Sequence, residues 1–304
     1  MSAASSGVTV FPSLKEVSLE PGQAQAAFVI KLKNSTPADV NLRLSVVDFK
    51  ALDETGGVAF LGESNDLERR YGLAPWAKLD KTSLKLLPGQ TAGVQVTIIN
   101  QPSLAPGGHY GAVLFKTVNS ADRGGGQQVQ LNQVFSTLIL AKKLGGERLD
   151  VNLSGYDKAT FRFNLPDQLK LRFANSGNVH AAPTGVVKIV DPLGREVASG
   201  PVNPEAGRIL PDSYRTYPTK LKPVKPAFIP GLYRTIIQYS YDGKPDQTTV
   251  SSQFLFVNAV LVLPVAVVLI IFLWLRLKRS QPFPKSFTRQ LKPRRPRFKD
   301  FQRR

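Results

Sequence analysis

His109 and His180 are the only imidazoles in this 304-residue chain, and it contains no cysteine. Those two facts limit the chemistry it can do. Without cysteine there are no disulfides, no thiolate metal sites and no sulfur nucleophile. Neither histidine has a second ligand at metal spacing, and no Gly-x-Ser-x-Gly elbow presents a serine. The acidic residues do not follow the order of a calcium-binding loop, and Gly124-Gly-Gly126 lacks the Lys-Ser/Thr that completes a phosphate-cradling loop. The carboxylates Asp53-Glu54, and Asp66 with Glu68, are of the kind general acid–base work needs, but in their loops they read as solvated charges. No catalytic, cofactor-binding or metal-ligating residue is therefore predicted, and the chain reads as a binding protein rather than an enzyme. Its candidate ligand contacts are Trp76, Tyr71 and His109, in irregular stretches of the sort that carry binding residues. Trp76 also reads as a core anchor.

The elements that must position these residues are short strands separated by turn signals. Val40-Asn-Leu-Arg-Leu-Ser-Val46 alternates apolar and polar residues, as does Thr91 to Ile99, and a further strand is expected at His109 to Phe115. Gln128 to Ala141 is expected to follow across the Asp122 to Gly126 turn. Seven or more strands with a turn about every ten residues predict an antiparallel β-sandwich of immunoglobulin type. A second copy begins after Lys142-Lys-Leu-Gly-Gly146. Leu169-Lys-Leu-Arg-Phe-Ala-Asn-Ser176 repeats the strand-then-Asn-Ser ending of Ile30-Lys-Leu-Lys-Asn-Ser35, and Pro230-Gly-Leu-Tyr233 echoes Pro106-Gly-Gly-His-Tyr110. Both tyrosines read as tyrosine corners, with the ring at the core edge and the hydroxyl on nearby backbone.

Phe254 to Leu275 carries no charge and is followed by Arg276-Leu-Lys-Arg279. A run of this length matches the roughly 30 Å hydrocarbon core of a bilayer. From Arg276 onward the tail holds twelve Lys/Arg against one acid, +11 of the net +18. The positive-inside rule then places the tail in the cytoplasm and the rest of the chain outside, on a cell membrane crossed once. No signal peptide is visible, and a missing one is expected. Trp274, Arg276, Lys278, Arg279, Lys285, Arg289, Lys292, Arg294, Arg295 and Arg297 are the predicted membrane stop and lipid contacts, facing an anionic inner leaflet. Nucleic acid is not an expected partner, and oligomeric state cannot be read.

The predicted fold class is thus all-β: two tandem immunoglobulin-like antiparallel sandwiches, a single C-terminal transmembrane helix and a disordered basic tail. The boundaries are 1–7 for a disordered start, 8–142 and 147–252 for the sandwiches, 254–275 for the span and 276–304 for the tail.

The first domain resembles a known family. Leu19-Glu-Pro-Gly-Gln23, a strand closed by Asn34, Gly56 to Phe60, Trp76, Leu87-Pro-Gly-Gln90 and Gly108 to Phe115 stand in the order found in the N-terminal domain of WxL-interacting proteins of Gram-positive bacteria. The resemblance implies peptidoglycan binding. The expected function is a membrane-anchored surface protein that contacts peptidoglycan or another surface protein, with no cofactor. A structural spacer or complex subunit is the alternative, and a wall-active enzyme using Asp66, Glu68 or His109 a more distant one.

Overall fold

A computed structural model describes residues 7–61, 69–118, 133–242 and 244–279. The strands of the first half are β1 (Val8–Phe11), β2 (Leu14–Leu19), β3 (Gln25–Asn34), β4 (Val40–Ala51), β5 (Val58–Phe60), β6 (Ala77–Leu79), β7 (Ser83–Leu86), β8 (Thr91–Ile99), β9 (Gly107–Thr117) and β10 (Val134–Lys143). They form a sheet ordered β1-β3-β8-β6 and a sheet ordered β2-β10-β9-β4-β5, with β7 also on β4. Alternation sends Ile30, Leu32, Val94, Val96, Val113 and Phe115 into the core between the sheets. Although β1 and β2 are consecutive, they belong to different sheets. β1 lies antiparallel to β3 and β2 runs parallel to β10, with a cis Phe11–Pro12 bond between them. Of the expected strand from Gln128, residues 128–132 lie outside the described residues.

The second half contributes β11 (Val151–Tyr156), β12 (Phe161–Arg162), β13 (Gln168–Asn175), β14 (Thr184–Val190), β15 (Glu196–Val202), β16 (Ser213–Lys220), β17 (Lys222–Pro223), β18 (Gly231–Tyr241) and β19 (Lys244–Phe256). A sheet β11-β13-β16 faces one ordered β12-β19-β18-β14-β15-β17. Phe173 is fully buried, with its ring edge-on to those of Tyr217 and Tyr239. Sandwiches are present in both halves, and the repeated Asn-Ser ending has one structural meaning: Asn34 and Asn175 each close a strand as a buried amide.

The C-terminal span requires correction. The uncharged run does not form one element. Phe254 and Phe256 belong to β19, where they are buried against Tyr233 in the second core. Only from Ala259 is the chain helical, as α1 (Ala259–Arg279). Among the described residues no helix is long and apolar enough to cross a membrane. The outside–inside topology, the membrane location and the lipid role of the basic residues rested on that span and fall with it. Trp274 is exposed, with the Lys278 ammonium 5.0 Å over its ring, one helical turn away, and Arg276 and Lys278 follow in the last turns. The Arg279 side chain, and Lys285, Arg289, Lys292, Arg294, Arg295 and Arg297 with the rest of the tail, lie outside the described residues, as do Asp66 and Glu68.

Candidate functional site

The site lies where the two sandwiches meet. One face of the sheet β2-β10-β9-β4-β5 is turned away from the first core, and that face is also apolar. It presents Val47 and Phe49 from β4, Tyr110 and Ala112 from β9, and Leu140 from β10, all buried, with Leu114, Leu138 and Val58 half-buried beside them. Leu14 and Glu16 of β2 extend the face across Leu138 and Leu140, their register partners. The second sandwich covers part of it by laying Leu210 onto the cluster. On either side of Leu210 a cavity remains open. One of about 230 Å³ lies between Leu14, Phe49, Leu138 and Leu140 and the 205–215 segment, and one of about 410 Å³ lies between Asp48, Tyr71 and Pro211.

Polar contacts around the rim hold the sandwiches together. The Tyr110 hydroxyl accepts the backbone N–H of His180 at 2.9 Å and lies 3.3 Å from its Nδ1. Gly108 N–H donates to Asn178 O at 2.8 Å. Arg208 donates to Glu16 at 2.7 Å and lies 3.4 Å from Asp242. At the far side, the turn between β4 and β5 is gripped by β16: Glu54 O accepts Thr216 N–H at 2.7 Å, and its carboxylate takes two bonds from Arg172, whose guanidinium stacks 3.7 Å from the Tyr214 ring. Tyr71 donates to Asp212 at 2.8 Å. The hydrogen bond from Arg208 holds the Glu16 carboxyl below its ordinary range, and that from Arg172 does the same for Glu54. These pairs are half-exposed, so solvent screens most of their attraction. Their value is geometric.

Gly107 and Gly108 make the close approach possible. Gly107 has φ +122°, and a Cβ on it would fall 2.8 Å from Asn178 O, while one on Gly108 would collide with the Tyr110 hydroxyl. Gly108→Ala should therefore displace Tyr110 from His180 and cost about 2 kcal/mol, as overpacking does. A urea-unfolding midpoint equal to that of the unchanged protein would refute this account of the seam.

Of the three candidate ligand contacts, Tyr71 reaches the seam. Trp76 packs against the first core, and its indole N–H lies 3.4 Å from Ser103 Oγ. His109 is buried, its ring nitrogens 3.0 Å from Gly72 O and 2.8 Å from Ala105 O. Each thus links the 72–76 loop to the 103–109 segment within the first sandwich. Asp48 holds the same loop by accepting Leu73 and Ala74 N–H, each at 2.7 Å, and so sets Tyr71 over the sheet face. Tyr233 is the corner the sequence indicated, its hydroxyl on Ile229 O at 2.8 Å. Tyr110, its apparent repeat, turns instead to the other sandwich. His180 and Arg208 carried no local signal, since their partners are 70 and 192 residues away.

An open strand edge adjoins the face. β2 pairs with β10 only from Leu138 onward, where Leu138 N–H donates to Ser13 O. By strand alternation the N–H and C=O groups of Val134 and Ser136 point the same way, and among the described residues no strand pairs with them there. Val134 and Leu14 are 53% and 42% exposed, so edge and face form one apolar surface.

No protein-family model matches the chain, and no curated protein matches it. Among solved structures it is similar to a chain of the chaperone–tip adhesin complex of CFA/I fimbriae, at 12% identity over 83% of this chain and 100% of that one, with a TM-score of 0.46. It is also similar to the class 5 fimbriae chaperone CfaA, at 11% identity, 82% and 99% coverage and a TM-score of 0.41. A third is the CsuC–CsuE chaperone–tip subunit pre-assembly complex of Csu pili from Acinetobacter baumannii, at 10% identity, 80% and 97% coverage and a TM-score of 0.38. The membrane-anchored, peptidoglycan-facing role expected from the sequence is corrected here: among the described residues no helix is long and apolar enough to cross a membrane.

Proposed function

We propose that this protein is a non-catalytic binding protein whose first sandwich holds an extended apolar segment of a partner protein, a role of the chaperone kind. The segment lies along the open edge of β10, with alternate side chains on the outer face of the sheet. The observation that carries this reading is the coincidence of an apolar sheet face with an edge whose ladder stops at Leu138. Strand addition uses backbone hydrogen bonds for affinity and pockets for alternate side chains for selectivity. Apolar surface left at a strand edge is ordinarily covered or blocked by charge, and among the described residues no strand covers Val134 to Ser136. The cavities beside Leu210 accommodate side chains of the bound segment. The partner is a protein, and no cofactor is involved.

The test is selection of displayed peptides with apolar residues at every second position on the immobilised full chain. Enrichment of such peptides is expected. Ser136→Pro, which removes an outward N–H where an edge tolerates proline, should lower their capture at least tenfold with the unfolding temperature unchanged. Equal capture by the variant, or no enrichment on the parent, would sink the proposal.

A further inference from the structure

We propose that His180 is a proton-operated latch between the two sandwiches, and that protonating its ring releases the second sandwich from the apolar sheet face of the first. The geometry of one hydroxyl is the starting point. The Tyr110 oxygen accepts the His180 backbone N–H at 2.9 Å and lies 3.3 Å from Nδ1. In the neutral tautomer with its proton on Nε2, Nδ1 is bare and takes the hydroxyl proton of Tyr110. A second proton on Nδ1 sets two donors against each other. Among the described residues the Tyr110 hydroxyl has no other acceptor to turn to, and its ring packs edge-on against the imidazole at 5.6 Å.

The surroundings do not favour the extra charge either. His180 is 8% exposed. The charged groups facing it come from every element around the seam: Glu16 on β2, Lys142 on β10, Arg208 on the segment after β15, and Asp242 in the turn between β18 and β19. Both acids are already engaged by Arg208, at 2.7 and 3.4 Å. With Arg208 and Lys142 set against Glu16 and Asp242 the four formal charges cancel, so no net negative charge is left over for an imidazolium. Burial is the main cause that holds the ring neutral, with Arg208 and Lys142 acting against Glu16 and Asp242, so the imidazole is pushed down to about 4.

The latch is tied directly to the cover. Ala181, the next residue, exchanges backbone hydrogen bonds with Ile209 at 2.8 and 3.2 Å. Ile209 precedes Leu210, the side chain that lies on the sheet face. Displacing His180 therefore pulls on the segment that half-covers the face. What the face binds does not enter this inference, so it survives failure of the peptide selection.

The absence of cysteine allows a direct test on the full chain. Dyes on Lys31→Cys and Lys222→Cys, one exposed site in each sandwich, report their separation by energy transfer, while emission of a hydrophobic dye reports exposure of the sheet face. Between pH 7 and pH 4.5 the separation should rise and the dye signal at least double, in one reversible step that His180→Gln abolishes. Tyr110→Phe, which keeps the ring but removes the hydroxyl that donates to Nδ1, should move the midpoint to higher pH. An unchanged separation over that range, the same response in His180→Gln, or an unmoved midpoint in Tyr110→Phe would overturn the latch.

Discussion

Replacing Asn34 by alanine is expected to lower the unfolding free energy of the first sandwich by about 3 kcal/mol, the cost of several buried polar groups losing one shared partner. Asn34 is fully buried at the end of β3. Its amide N–H groups donate to Ala38 O, Leu86 O and Leu87 O at 2.8, 3.1 and 3.2 Å, and its carbonyl accepts the backbone N–H and hydroxyl of Thr36 at 2.9 and 2.7 Å. One side chain thus ties the β3–β4 turn to the end of β7. Asn34→Asp is the sharper variant. It keeps the shape and the acceptor but faces a carboxylate toward three carbonyl oxygens, so it should destabilise at least as much as alanine. Asn175 plays the same part in the second sandwich, donating to Val179 O and Ile209 O at 2.9 Å and accepting Gly177 N–H. Because Ile209 also belongs to the covering segment, Asn175→Ala should loosen the seam as well. Urea denaturation of both variants decides the matter. A loss below about 1 kcal/mol for Asn34→Ala would show that the turn is held by something else.

Global stability should fall by about 2 kcal/mol between pH 7 and pH 5 through His180 alone, for as long as the seam stays closed. Its imidazole titrates at the ordinary 6.5 when unfolded and near 4 when folded, chiefly because of burial. Between those values the unfolded chain binds the extra proton, so stability is fully present above 6.5 and drains away as pH falls. Glu16, Glu54 and Asp191 are held below their ordinary values, and their contribution is lost only at lower pH, as they take up protons. The window from pH 6.5 to 5 therefore isolates the histidine. In His180→Gln the slope of unfolding free energy against pH should be nearly flat there. A slope equal to that of the parent would place the titrating group elsewhere.

The sandwiches themselves could be read from residue order because the signal is local. Alternation in Val40–Val46 or Thr91–Ile99 reflects one face toward a core, whichever strand becomes the neighbour. The Asn-Ser repeat was equally readable, since the bonds from Asn34 to Ala38 and from Asn175 to Val179 close within four residues. Composition excluded cysteine chemistry for the same elementary reason: the atoms are absent.

Hydropathy was ambiguous at Phe254. A short apolar run fits a buried strand as well as a helix, and only Tyr233 and the pairing of β19 with β18 show that Phe254 and Phe256 finish a sandwich rather than begin a span. The seam was beyond reach for a different reason. Tyr110 and Tyr233 follow similar Pro-Gly turns, yet one hydroxyl satisfies backbone four residues back and the other meets a histidine 70 residues on. Residue type determines that a buried hydroxyl must find a partner, but which partner depends on how two domains dock. That docking also placed His180 and Arg208 at the rim of an apolar sheet face, by contacts between segments too far apart in the chain for local pattern to record.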